Sequence, residues 1–203
     1  MGKFEKLIGT LMLNCLFLVG AKSAELPDND TLFQANQSNL LAALTDTSNA
    51  MFNRLTFYYV GPFGWSKPES RLVVGSGPNA TVEYLELSKS SVVIAGDMVE
   101  TGHSDVSNAL INGAKHHLSF PLSQCPAISN MIDDLEDLAV AEIGKSRQLE
   151  SEGKKIVTFD GGGSYHFYFG HMGAKEFGFV TFVDGPTSKK MAELERFVLS
   201  CLM

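Results

Sequence analysis

Basic side chains are scarce in this chain: 16 Lys and Arg stand against 23 Asp and Glu, for a formal net charge of −7 over 203 residues. A chain with that balance lacks the clustered cations that neutralise phosphate backbones or anionic lipid surfaces, so nucleic acid is not an expected partner. Long apolar runs are also missing. The longest uncharged apolar stretch, Leu7 to Ala21, is interrupted by Asn14 and falls short of the roughly 20 residues a spanning helix requires. Only three cysteines and one tryptophan occur, which excludes a disulfide-dense miniature scaffold and a cysteine-rich zinc module.

The short apolar run has a different reading. Lys3 and Lys6 precede it, and Ala21-Lys22-Ser23-Ala24 follows it before the acidic Glu25-Leu26-Pro27-Asp28. A basic start, an apolar middle and small residues at the cut are the order of a secretory signal. Residues 1–24 are therefore expected to be a signal peptide, cleaved after Ser23 or Ala24, and residues 25–203 a single domain large enough to bury its own core. Loss of Lys3, Lys6 and Lys22 together with Glu5 takes the net charge to −9. The expected location is the periplasm or the extracellular space, with no membrane-integral segment after removal of the signal.

Cys15 leaves with the signal, so Cys125 and Cys201 remain as an even pair in a compartment where disulfides persist. They are expected to bridge. Asn29-Asp30-Thr31, Asn36-Gln37-Ser38 and Asn79-Ala80-Thr81 match the glycosylation acceptor pattern, which is too short to identify the source.

Along the chain, Leu40, Leu41, Leu44, Met51 and Leu55 fall on one helical stripe, predicting a first helix from about Gln37 to Tyr58. Three short β-type runs follow, Arg71 to Val74, Thr81 to Leu87 and Ser91 to Ala95. Ser104 or Asp105 would cap a helix reaching Leu118, and Pro126 opens a longer one with Ile128, Met131, Ile132, Leu135, Leu138, Ala139 and Ile143 on its buried side. The acidic cluster of that helix, Asp133, Asp134, Glu136 and Asp137, reads as a solvated face. Three further strands, Lys155 to Phe159, Tyr165 to Phe169 and Phe177 to Val183, precede a final helix carrying Met191, Leu194, Phe197, Val198 and Cys201. Grouped strands with grouped helices predict an α+β fold: an antiparallel sheet of about six strands in two meanders, packed against about four helices.

The catalytic motifs fail on a required residue or on context. Ala139 stands where a phosphate-binding loop ending in Gly144-Lys145-Ser146 needs glycine, and the stretch ends a helix instead of opening one. Gly161-Gly162-Gly163-Ser164 has His166 where a nucleophile turn needs its second glycine. No histidine pair lies four residues apart, so neither a metal site nor a cofactor is expected from spacing. His166 and His171 with Asp160 form the acid/base candidate, because a strand histidine near glycine turns and a carboxylate is the composition such sites use. The recognition candidate is the aromatic loop with Tyr59, Phe63 and Trp65, since such side chains anchor interfaces at low entropic cost. Together these features predict a binding or interaction protein, such as an inhibitor, an immunity-type protein or an envelope accessory factor, whose partner is a protein with a basic or apolar surface. A hydrolase or metal-binding enzyme and a carrier of a small apolar ligand are the alternatives.

Overall fold

Leu55, Phe57 and Tyr59 alternate with Thr56 and Tyr58 along the strand that becomes the middle of the structure, and all five are buried. The computed structural model describes residues 28–46, 48–49, 52–61, 69–151, 164–170, 177–181 and 185–202. Among them the elements run α1 (Asn29–Leu44), β1 (Asn53–Val60), β2 (Ser70–Gly75), β3 (Thr81–Leu87), α2 (Ser91–Thr101), α3 (Val106–Gly113), β4 (Ala114–Pro121), α4 (Ala127–Ser151), β5 (Ser164–Phe169), β6 (Phe177–Thr181) and α5 (Pro186–Ser200), with a 3-10 turn at Leu122–Gln124. The strands form one antiparallel sheet in the order β4-β3-β2-β1-β5-β6. The α+β class and the antiparallel sheet agree with the sequence pattern. The details differ: β1 to β4 pair in succession as four neighbouring strands, and β5 and β6 add a hairpin through the β1–β5 pairing in place of a second three-stranded meander. The described residues hold five helices where about four were expected, because Ser91–Thr101 is helical.

The main core lies between one sheet face and the pair α4 and α5. Ile128, Ile132, Leu135 and Ala139 from α4, and Met191, Leu194 and Val198 from α5, are fully buried against Leu55, Phe57, Leu72, Val74, Val82, Phe167 and Phe169. These stripes are the ones the 3.6-residue period predicts. A second, smaller core joins Leu40, Ile94, Ala95, Met98 and Leu110 of α1, α2 and α3 to Leu87. Arg71 ties α1 to the sheet by donating from its two terminal nitrogens to the carbonyls of Ala43 and Asp46, each at 3.0 Å, a cation on the orphan carbonyls of a helix end.

Three expected elements are corrected. The first helix ends at Leu44, and Asn53–Val60 is the strand β1; a central strand buried on both faces shows no clean alternation, so its apolar positions also fitted a helical stripe. Ser91–Ala95 opens the helix α2, capped by the Ser90 side chain through Val93 N. The helix after Asp105 is only Val106–Gly113, and the following residues form the edge strand β4. The signal segment 1–24 and the expected strand Lys155 to Phe159 lie outside the described residues.

Cys125 and Cys201 are bridged, with Cα atoms 6.1 Å apart, within the ordinary span of a disulfide. The bond links the entry of α4 to the exit of α5. Two of the acidic groups on the outer face of α4 are held in ion pairs, Asp133 by Arg54 and Asp134 by Lys190. No described helix is long and apolar enough to cross a membrane.

Candidate functional site

The turn after β3 and the two short helices that follow enclose a cleft of about 320 Å³. Its position is fixed by polar groups at the head of α2. Glu69 is buried at 4% exposure and accepts from Ser91 N at 2.7 Å and from Ser91 Oγ at 3.0 Å, while its carbonyl accepts from Leu87 N at 2.9 Å. Burial holds its carboxyl above the usual range, against the opposing effect of those hydrogen bonds. At the far end of α2, Gly102 takes the left-handed conformation with φ 68° and caps the helix, a role glycine fills without steric cost. The chain then turns through His103 into α3, whose first turn is capped by Asp105 accepting from Asn108 N at 3.1 Å.

Ile94 and Met98, each almost fully buried, form the floor with Ala109 and Gly113. Polar groups form the rim: Lys89 and Asp97, paired at 2.9 Å, on one side, and Asp105, Asn108 and Asn112 on the other, with His103 at the end. An apolar floor under a few converging polar groups is the usual anatomy of a small binding site. Gly113 sits close to this floor, and a Cβ there would come within 2.6 Å of Ile94 Cδ1.

No family model, curated protein or solved structure matches this chain.

The residues singled out from sequence are placed unevenly. His166 is half-buried on β5, on the sheet face away from α4 and α5. Its ring stacks on Tyr58 with centroids 4.4 Å apart, and its Nε2 lies 2.8 Å from Ser164 Oγ. Burial holds the imidazole below its ordinary pKa, which favours the neutral ring. Tyr58 in turn meets Tyr168, hydroxyl to hydroxyl at 3.4 Å, and burial pushes the Tyr58 phenol well above its normal range. His171 and Asp160 lie outside the described residues, as do Phe63 and Trp65. Tyr59 is buried in the main core, its ring 4.8 Å from that of Tyr165, so a recognition role for the aromatic loop rests on Phe63 and Trp65.

Of the other histidines, His116 lies 3.9 Å from Glu86, and His117 lines a second cleft of about 250 Å³ with Arg71 and Glu83. Among the described residues no group of three or more His, Cys, Asp and Glu is arranged to hold a metal ion. The sequence reading missed the α2–α3 cleft because Val92, Val93 and Ile94 resemble a strand. Its signal was present in the caps: Ser90, then Gly102, then Asp105 punctuate two short helices.

Proposed function

We propose that the protein is an exported, non-catalytic binding protein of the periplasm or extracellular space, and that the α2–α3 cleft is where it engages its partner. The observation that carries this reading is the cleft itself: about 320 Å³ with Ile94 and Met98 at its floor and five charged or amide side chains around its mouth. Its volume is near the lower end for ligand sites, which suits one side chain of a partner better than a whole cofactor. The Cys125–Cys201 bond supports export, because such bonds persist in oxidising compartments. The acidic balance of the chain supports a partner with a basic surface.

A second reading, a hydrolase centred on His166, is favoured by one observation. The neutral imidazole within 2.8 Å of Ser164 Oγ is the geometry of a base beside a hydroxyl nucleophile. Both readings are tested together. Partners are captured from the compartment fluid of the natural host on the native protein, on Ala109→Phe, which fills the cleft, and on the double variant His166→Ala, His171→Ala. Binding at the cleft predicts that Ala109→Phe loses the captured protein while the histidine variant keeps it. Turnover of ester or peptide substrates that vanishes in the histidine variant, with capture untouched by Ala109→Phe, would favour the enzyme.

A further inference from the structure

The rim of the α2–α3 cleft is uneven in what it still offers a ligand. The single hydroxyl hydrogens of Ser88 and Thr101 are spent on the carbonyls of Gly113 and Asp97, at 2.8 and 2.7 Å. Lys89 is engaged by Asp97 at 2.9 Å, and one amide hydrogen of Asn108 by Asp105 at 2.8 Å. What remains is mixed. Two ammonium hydrogens of Lys89 and amide hydrogens of Asn108 and Asn112 are donors. The acceptors are the second oxygen of Asp97, the outer lone pairs of Asp105, the Asn108 and Asn112 carbonyls and the two hydroxyl oxygens, so that net charge decides what the rim favours. Counting Lys89 against Asp97 and Asp105, the rim's carboxylates outnumber its ammonium group by one. The C-terminal end of α2 meets the cleft at Thr101, adding the negative pole of that helix. The opposite pole, at the head of α3, is already matched by the Asp105 carboxylate that caps it.

We infer that the cleft binds an alkylammonium or alkylguanidinium group, its aliphatic stem on Ile94, Met98 and Ala109 and its cation among Asp97, Asp105 and Asn108. This rests on the binding reading above and specifies the chemistry of the occupant. A basic side chain suits the cleft for a physical reason: its methylenes seek apolar surface while its charged head stays at the polar mouth. The lysine or arginine of a partner protein is the source that fits the surroundings. Val93, next to the cleft-lining Ile94 on α2, is exposed at 45% and would contact the backbone that carries such a side chain.

The test is an amide-correlation NMR titration of the disulfide-bonded protein with n-butylammonium, n-butylguanidinium, n-butanol and n-butyrate. The two cations are expected to perturb the amides of Ile94, Asp97, Met98, Asn108 and Ala109. Asp97→Asn with Asp105→Asn should weaken them about fivefold, the loss of a partly exposed charge pair. Asparagine caps a helix as well as aspartate does, so the fold is expected to survive, and the same spectra report whether it does. Butanol or butyrate binding the cleft as tightly as the cations would overturn the inference and leave the binding reading standing. No response from any of the four would overturn the inference and count against the cleft. A blocked Gly-Lys-Gly peptide and free 1,4-diaminobutane separate the sources, because only a protein-borne lysine should also shift Val93.

Discussion

Glu69 brings burial and hydrogen bonding into opposition at one residue. Its carboxylate satisfies Ser91 N and Ser91 Oγ at the head of α2, where four backbone N–H groups have no partner inside the helix. Removing both acceptors with Glu69→Ala should cost about 1–3 kcal/mol, the penalty for orphaning a buried donor. The pH dependence follows from the direction of its shift. The folded-state pKa is raised by burial, so between the unfolded value of about 4.3 and the folded value the native state holds more protons than the unfolded state. Stability contributed by this site is therefore greatest below that window and falls as pH rises through it. Glu69→Gln keeps an acceptor for Ser91 N and does not titrate. Urea unfolding of the two proteins from pH 4 upward should show the wild type losing stability relative to Glu69→Gln as pH rises; a difference that stays flat would contradict the assignment.

At the scale of elements, α4 and α5 were legible in the sequence because an apolar period of 3.6 and burial on one face coincide there, from Ile128 to Ala139 and from Met191 to Val198. The elements that were not legible are those where tertiary surroundings override local pattern. β1 is buried on both faces, with Phe57 and Tyr59 under α4 and α5 and Thr56 and Tyr58 on the other side, so its alternation is masked. In α2 the β-branched run Val92-Val93-Ile94 favours a strand by propensity. The Ser90 cap and the distant Glu69 decide for helix. Gly113 closes α3, and the chain turns directly into β4, a boundary that apolar spacing through Leu118 conceals. The staple between α4 and α5 was legible from cysteine arithmetic alone. Its loop spans 76 residues, for which the chain-entropy model gives roughly 4.5 kcal/mol as an upper figure. Replacing both cysteines by alanine should lower unfolding stability by about 2–4 kcal/mol with the helical circular dichroism retained. An unchanged urea midpoint would show that the bond constrains nothing the helix packing does not already hold.

For the whole molecule, the sheet divides two kinds of packing. On one side lies a continuous apolar core under two helices joined by a disulfide, and beyond β3 lies an assembly of three helices around a smaller core and a cleft. A well-buried core behind and an accessible, partly polar cavity in front suit a recognition site. The His166 candidate was legible as a residue and placed on a strand as expected, whereas the cleft depends on contacts between helices that no local pattern announces. The most direct measurement of the central claim is the methionine-methyl NMR spectrum of the disulfide-bonded protein, recorded in buffer and in concentrated periplasmic or extracellular fluid of the host, the compartments proposed for it. Met98 lies in the cleft floor and Met191 in the sealed core beneath α5. Binding at the cleft predicts that the Met98 methyl resonance moves while that of Met191 does not. A Met98 resonance that stays in place while the protein is demonstrably bound to a partner would contradict the claim.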